Sequence, residues 1–233
     1  LVQPNAENSA FSEGSRRLNM RSRKITNTGT LKNIGKFPSI KTGSTVYFES
    51  LLERDYIYLL DYDPDVIRFR EQPLKIEYPF DGRVRSYFPD FLVEKRTHSE
   101  LVEVKPQIKT LGPAFASFVK IITDTAVSRG YGYSVVTDLT IRKEPRLTNI
   151  KVLWRYARVP IVFRHTVLLH NLFKENKILS LGEITSYFAS VGETRELVYS
   201  LLFHRHLSIN IDEPMQEGSP VGAGAECGGG NYV

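Results

Sequence analysis

The rhythm of apolar and polar positions changes several times along the chain, and each change marks an element. From Val46 to Leu60 apolar residues fall at 48, 51, 52, 56, 59 and 60. That spacing builds one stripe of a helix, with Ser44 and Thr45 as candidate N-caps. Asp61-Tyr-Asp-Pro-Asp65 ends it, because proline disfavours helical geometry in the residue before it. A period of two follows. Val66–Arg70, Leu74–Tyr78 and Val84–Phe88 read as strands, the last two joined at Asp81-Gly82. Asp90–Glu94 and Glu100–Lys105 flank the polar turn Lys95–Ser99 and read as a second hairpin, stopped by Pro106. Residues 113–130 return to the helical period through Phe115, Phe118, Ile121, Ile122 and Ala126, with Gly130 as a C-terminal cap. Tyr131–Val136 is a strand that follows a helix, so it can join the sheet by a crossover. Leu147–Tyr156 reads as a closing helix.

A second unit starts near Pro160. Ile161–Phe173, Leu181–Ala189 and Glu193–His204 are helical, and His206–Ile211 is a strand. Three helices and a strand in this compass match a winged-helix-like module of the helix-turn-helix group. Beyond Pro214 the chain is rich in Gly, Ser and Ala. The expected organisation is a basic arm at 1–43, an α/β domain at 44–158, a winged-helix-like domain at 159–212 and a Gly-rich tail or linker at 213–233.

Composition narrows the class. With 41% hydrophobic and 24% charged residues the chain is ordinary globular material. Its single cysteine, Cys227, excludes an internal disulfide framework and a Cys-rich zinc cluster. No apolar run approaches the ~18–20 residues that span a bilayer. Leu1–Arg17 lack a basic start followed by an apolar core, so no signal peptide is expected. A soluble intracellular protein without a membrane partner is the expectation. The net charge of +5 is uneven. Residues 1–43 hold eight bases against two acids, a net of +6, whereas 212–233 hold four acids and no base. A basic arm on a near-balanced body suits a polyanion partner, because Lys and Arg displace counterions from phosphates. It equally suits a merely solvated arm.

Phe88-Pro-Asp90 and Glu103-Val-Lys105 carry the chemistry. Residues two apart on a strand share a face, so Glu103 and Lys105 project together. A turn centred on Thr97 sets residue 91 across from 103 and brings Asp90 beside Glu103. Two carboxylates and an amine then meet at one spot. Bare, the carboxylates would repel; a hard divalent cation such as Mg²⁺ or Mn²⁺ removes that conflict. Such an ion lowers the pKa of a bound water, and Lys105 can orient that water or offset phosphate charge. The apolar flanks Phe91, Leu92, Val93, Leu101, Val102 and Val104 predict interior strands. On the preceding helix, Glu49 and Glu53 lie one turn apart on one face. Either can point at the metal, and the residues alone do not choose between them.

Pro89-Asp90, twelve intervening residues and Glu103-x-Lys105 form the pattern of the PD-(D/E)xK nucleases. The longer order is more specific. Ser50-Leu-Leu-Glu53, Asp63-Pro-Asp-Val66, Arg70-Glu-Gln72-Pro73, Pro89-Asp-Phe-Leu-Val93 and Val102-Glu-Val-Lys-Pro106 together resemble the TnsA family of transposon-end endonucleases. The resemblance spans about residues 44–158, and the module at 160–212 is similar to the helical C-terminal domain of that family. It implies an α/β fold: a restriction-endonuclease-like mixed sheet flanked by helices, followed by the small winged-helix-like domain. It implies a catalytic and metal-binding set of Glu53, Asp90 and Glu103, with Lys105 as the catalytic amine. Some members carry Gln where this chain has Glu103. The implied protein is a cytoplasmic, DNA-associated bacterial enzyme that uses Mg²⁺, with Mn²⁺ as a substitute, to cut double-stranded DNA at the 5′ transposon ends. Implied partners are a TnsB-like DDE transposase, fused to it in some relatives, and a TnsC-like AAA+ regulator. Relatives occur in CRISPR-associated transposons.

Other residues are weaker candidates. Gln72 is a polar contact near the metal or scissile phosphate or a structural turn before Pro73, and Lys109 is a substrate contact or a solvated lysine, as is Lys120. His204 and His206 lack a third ligand and read as a surface helix end; Tyr56, Tyr58 and Tyr62 read as core or interface. Two alternatives stay open: a non-catalytic nuclease-fold subunit that binds DNA or protein, and a restriction- or repair-type nuclease.

Overall fold

The computed structural model describes residues 34–175 and 177–225. The expected arm therefore falls mostly outside the described residues, as does Cys227. Strands β1 (Gly35–Pro38) and β2 (Thr45–Phe48) form an antiparallel hairpin. Here the periodicity misleads: Val46 and Phe48 belong to a strand, and helix α1 spans Leu51–Tyr62. Its N-cap is Ser50, whose hydroxyl accepts from the Glu53 amide at 3.1 Å. Thr45-Val-Tyr-Phe48 is β-branched and aromatic, and pairing with β1 outweighs the helical stripe that continues through it.

Four strands make the central sheet, in the order β3 (Val66–Glu71), β6 (Phe91–Lys95), β7 (Ser99–Lys105), β8 (Gly132–Thr137). β3–β6 and β6–β7 are antiparallel, and β7–β8 is parallel. The parallel step is made by helix α2 (Pro113–Val127), as a crossover requires. β6 and β7 are thus interior strands. Their alternation serves two layers. Phe91, Val93, Val102 and Val104 pack on Leu52, Tyr56, Ile57 and Leu60 of α1. Leu92 and Leu101 face Ile122 and Ala126 of α2, together with Ile76 and Tyr78 of a separate hairpin, β4 (Ile76–Phe80) and β5 (Arg83–Tyr87).

The short α3 (Asp138–Ile141) and α4 (Arg146–Tyr156) lead to the C-terminal part: α5 (Phe163–Phe173), β9 (Ile178–Ser180), α6 (Leu181–Ser190), α7 (Arg195–Phe203), β10 (Leu207–Ile209) and β11 (Pro220–Ala223). β11 lies between β10 and β9 in a three-stranded antiparallel sheet. Part of the stretch read as a Gly-rich tail is therefore a central strand. One of its glycines has a steric reason: a Cβ at Gly224 would overlap the Arg205 carbonyl, while the Gly224 amide donates to His206 O at 3.0 Å. The same core cluster holds Ile150, Leu153 and Ala157 of the α4 region with Leu197, Val198 and Leu201 of α7. Arg146 grips Asp212 through two hydrogen bonds of 2.8 and 2.6 Å, and Asn149 donates to Ile211 O and Glu213 O. Among the described residues, no helix is long and apolar enough to cross a membrane.

Candidate active site

The register of β6 and β7 builds the site. Phe91 pairs with Val102, one residue off the expected alignment of 91 with 103. The correction tightens the site, since the same register sets Asp90 directly across from Glu103. Both then lie on the α2 side of the sheet, with Lys105 two residues on. Pro89 removes a donor just before Asp90 and the ladder stops there. Asp90 turns its carboxylate to the neighbouring strand instead, where Oδ2 accepts the Val104 amide at 2.7 Å. Glu103 is 4% exposed and is held on both oxygens: the Lys105 ammonium meets Oε1, and the Tyr87 hydroxyl donates to Oε2. Tyr133 on β8 lies 3.2 Å from the Tyr87 hydroxyl.

Helix α1 sits on the opposite side of the sheet, but its N-terminus reaches the same end. Glu53 closes a capping box there. Its Oε2 accepts the Glu49 amide at 2.7 Å and its Oε1 accepts the Ser50 hydroxyl at 2.8 Å. Glu49 joins through Gln72, whose Nε2 donates to Glu49 Oε1 at 2.8 Å and whose amide donates to Asp90 O at 2.8 Å. Gln72 has φ of 41°, a left-handed conformation that side-chain-bearing residues adopt at a cost. Gln72 is thus both the turn before Pro73 and a polar tie between Glu49 and the Asp90 backbone.

The acids disturb one another. Burial, then the charges of Glu103 and Glu53, push the Asp90 carboxyl well above the usual range, against the Val104 amide and Lys105. Burial also raises Glu53, opposed by the Glu49 amide and the Ser50 hydroxyl, while the charges of Glu49 and Glu103 add to the rise. Burial and the adjacent Glu103 raise Tyr87, which therefore stays a donor. Among the described residues, no three His, Cys, Asp or Glu side chains stand close enough to hold a metal as they are turned. The hydrogen bonds say why: Glu53 is folded back on its own cap and Glu103 is occupied by Tyr87 and Lys105. The donor set nevertheless fits a hard divalent cation. Its members are carboxylates, Glu103 is buried and Asp90 and Glu53 are half-buried, and their mutual repulsion is only partly offset by one lysine.

These strands coincide with a family-level match. Residues 63–138, from the end of α1 to the start of α3, match the model described as TnsA-like endonuclease N terminal. This stretch is a TnsA-like endonuclease domain. It includes Asp90, Glu103, Lys105, Gln72 and Lys109, whereas Glu53 precedes it. No curated protein matches the chain. The match to the TnsA-like domain carries no information on a CRISPR-associated origin.

The remaining candidates separate. Lys109 is exposed in a 3-10 turn (Gln107–Thr110) after β7, and Lys120 is exposed on α2. His204 caps α7 and its Nε2 meets Ala157 O at 2.8 Å, a structural contact. Tyr56 and Tyr62 are core, and Tyr58 packs edge-on against Trp154 and Phe37. Tyr87 and Tyr133 were not anticipated. Tyr87 ends the strand Arg83–Tyr87, and only the fold of the β4–β5 hairpin over α2 aims it at Glu103.

Proposed function

We propose that the chain is a metal-dependent DNA endonuclease subunit of a heteromeric cut-and-paste transposase. In this reading it hydrolyses phosphodiester bonds at the 5′ transposon ends alongside a DDE transposase. The observation that carries it is the meeting of Asp90, Glu103 and Lys105 at one end of two interior strands in a TnsA-like domain. The central sheet, mixed and covered by helices, supports a restriction-endonuclease-like fold.

Glu53, Asp90 and Glu103 would hold a Mg²⁺ or Mn²⁺ ion, which supplies Lewis acidity and an activated water. Asp90 is fixed by the Val104 amide, so its orientation is set before substrate arrives. Lys105 is partly exposed beside Glu103; its ammonium orients the attacking water or offsets charge on the phosphate. Tyr87 keeps Glu103 from rotating away. Gln72 holds Glu49, which precedes the Ser50 N-cap and so lies outside the helix expected to carry it, near the same end of the sheet.

The division into an arm at 1–43, a nuclease domain at 44–158, a C-terminal domain at 159–212 and a tail at 213–233 belongs to this proposal. The order α5–β9–α6–α7–β10–β11, with β11 central, supports a winged-helix-like reading of the C-terminal part. Its third helix, α7, buries Leu197, Val198 and Ser200–Phe203 and packs on α4. The helix leaves Arg195 and Glu196 exposed at its N-terminus, and in this reading the module also meets a TnsC-like AAA+ partner. The test is end-labelled transposon DNA incubated with the protein, Mg²⁺ and the candidate transposase. Nicking at the 5′ ends that vanishes in Glu103→Ala and Lys105→Ala is expected; unchanged nicking in those variants would sink the assignment.

One observation favours a second reading, a non-catalytic DNA-binding subunit: Glu53 already serves as a helix cap. Calorimetry with Mn²⁺ separates the two, since this reading requires no divalent binding by the wild type.

A further inference from the structure

The β4–β5 hairpin is longer than the layer that supports it. Its base is buried: Ile76, Tyr78 and Tyr87 pack with Phe118 of α2. Its outer half is exposed on both faces, with Val84 at 73% and Phe80 at 37%. Alternation puts Tyr87, Arg85 and Arg83 on one face, and cross-strand pairing of Arg85 with Tyr78 and Arg83 with Phe80 keeps that face continuous. The row begins at Glu103, where Tyr87 donates, and runs outward at about 7 Å per step. Arg85 is braced by the Phe80 ring, its guanidinium 4.5 Å from the centroid. Nearby acids are few: Glu77 is matched by Lys75 at 2.6 Å on the other face, and Asp81 sits at the turn.

We propose that this hairpin is a DNA-backbone arm, on which Arg85 and Arg83 contact phosphates flanking the one placed at Glu103. It rests on the nuclease reading above and extends it to how the substrate strand is laid out. Arg83 stands four residues, about 14 Å, from Tyr87, so the arm reaches backbone several nucleotides from the cut. Tyr87 sets the register, because the strand that carries the arginines is tied to a proposed metal ligand. Planar guanidinium groups suit phosphate oxygens, and an aromatic brace lowers the freedom an arginine loses on binding.

The experiment measures binding of the full chain to a fluorescein-labelled duplex of arbitrary sequence across a salt series. Arg83→Gln/Arg85→Gln is expected to weaken binding about tenfold at moderate salt. It should also lower the slope of log affinity against log salt by about 2, near 0.9 per lost phosphate contact. Arg83→Lys/Arg85→Lys should restore most of the slope, and Lys95→Gln, at the opposite end of the β6–β7 strands, should leave it unchanged. The arginine variants change exposed side chains, Lys95→Gln changes a half-buried one paired with Glu100, and circular dichroism checks the fold of all three. A salt-dependent wild type with an unaltered slope in the glutamine variant overturns the arm alone, and a hairpin made for an acidic protein surface would give that result. An equal drop in Lys95→Gln overturns it too, by showing a diffuse charge effect. A wild type with no salt-dependent binding overturns the arm and the nuclease reading together.

Discussion

Asp55 and Glu53 stand two residues apart on α1, and both are withdrawn from solvent, yet their surroundings are opposite. Asp55 is 3% exposed and meets three cations: Lys151 at 2.8 Å, Arg142 at 2.9 Å and Arg54 at 3.2 Å. Burial alone would raise its pKa, but the hydrogen bonds from Lys151 and Arg142 prevail and hold the carboxyl below its usual range. Glu53, folded onto its own cap, lies near enough to Asp90 and Glu103 to feel their charge field, and Glu53 and Asp90 are both raised. One locus is balanced and joins α1 to α3 and α4. The other keeps a charge conflict that the fold does not resolve, and the proposed cation would relieve it.

The sharpest break of this comparison is catalytic. Lys105→Ala should lower nicking roughly 10³-fold with little change in unfolding midpoint, because in the proposed reading it removes the charge that faces the reacting phosphate. A variant that loses folding and activity in parallel would place Lys105 in the framework instead. Next is Asp55→Ala, which strands Lys151 and Arg142 against α1. A loss of about 3 kcal/mol is expected in urea unfolding, reduced because those cations are partly solvated. Tyr87→Phe keeps the ring on Phe118 but frees Glu103; Mn²⁺ affinity measured by calorimetry should fall about tenfold.

Asp90→Asn should move the other way. It retains an acceptor for the Val104 amide and removes one repelling charge, so the metal-free protein gains about 1 kcal/mol while nicking disappears. The smallest effect is the pH trend. Folded Asp90 and Glu53 have raised pKa values, so their contribution is full below the ordinary carboxylate range. It is lost as pH rises through the raised values. Asp55 works in reverse, contributing above that range and losing its effect as pH falls through its depressed value. Metal-free melting temperature should therefore decline on going upward from about pH 4, less so in Asp90→Asn, and added Mg²⁺ should recover most at neutral pH. A profile that keeps rising to neutrality would remove the conflict from the site.

Much of this was legible in the residues. The alternation of Phe91-Leu-Val93 and Leu101-Val-Glu-Val104 announced interior strands, since one set of side chains must serve each covered face. The shared face of Glu103 and Lys105 followed from the same geometry. Other features were hidden because they depend on partners distant in sequence. Phe48 fits a helical stripe, and only pairing with Gly35–Pro38 made it and Val46 part of a strand. The glycines after Pro214 read as linker, although Gly222 lies in a strand and Gly224 in a close backbone approach.

By itself, the sequence determined the local rules: which stretches alternate, where Pro89 and Pro106 interrupt them, and that Asp90, Glu103 and Lys105 share one hairpin. Tertiary structure decided everything that joins separate segments. It set the register that puts Asp90 across from Glu103, carried Tyr87 to Glu103, brought Gln72 to Glu49, and gave Asp55 cations while leaving Glu53 among acids. The physical reason is that a side chain's type fixes what it can bond to, whereas its charge state and its partner depend on what the packed layers bring within a few ångströms.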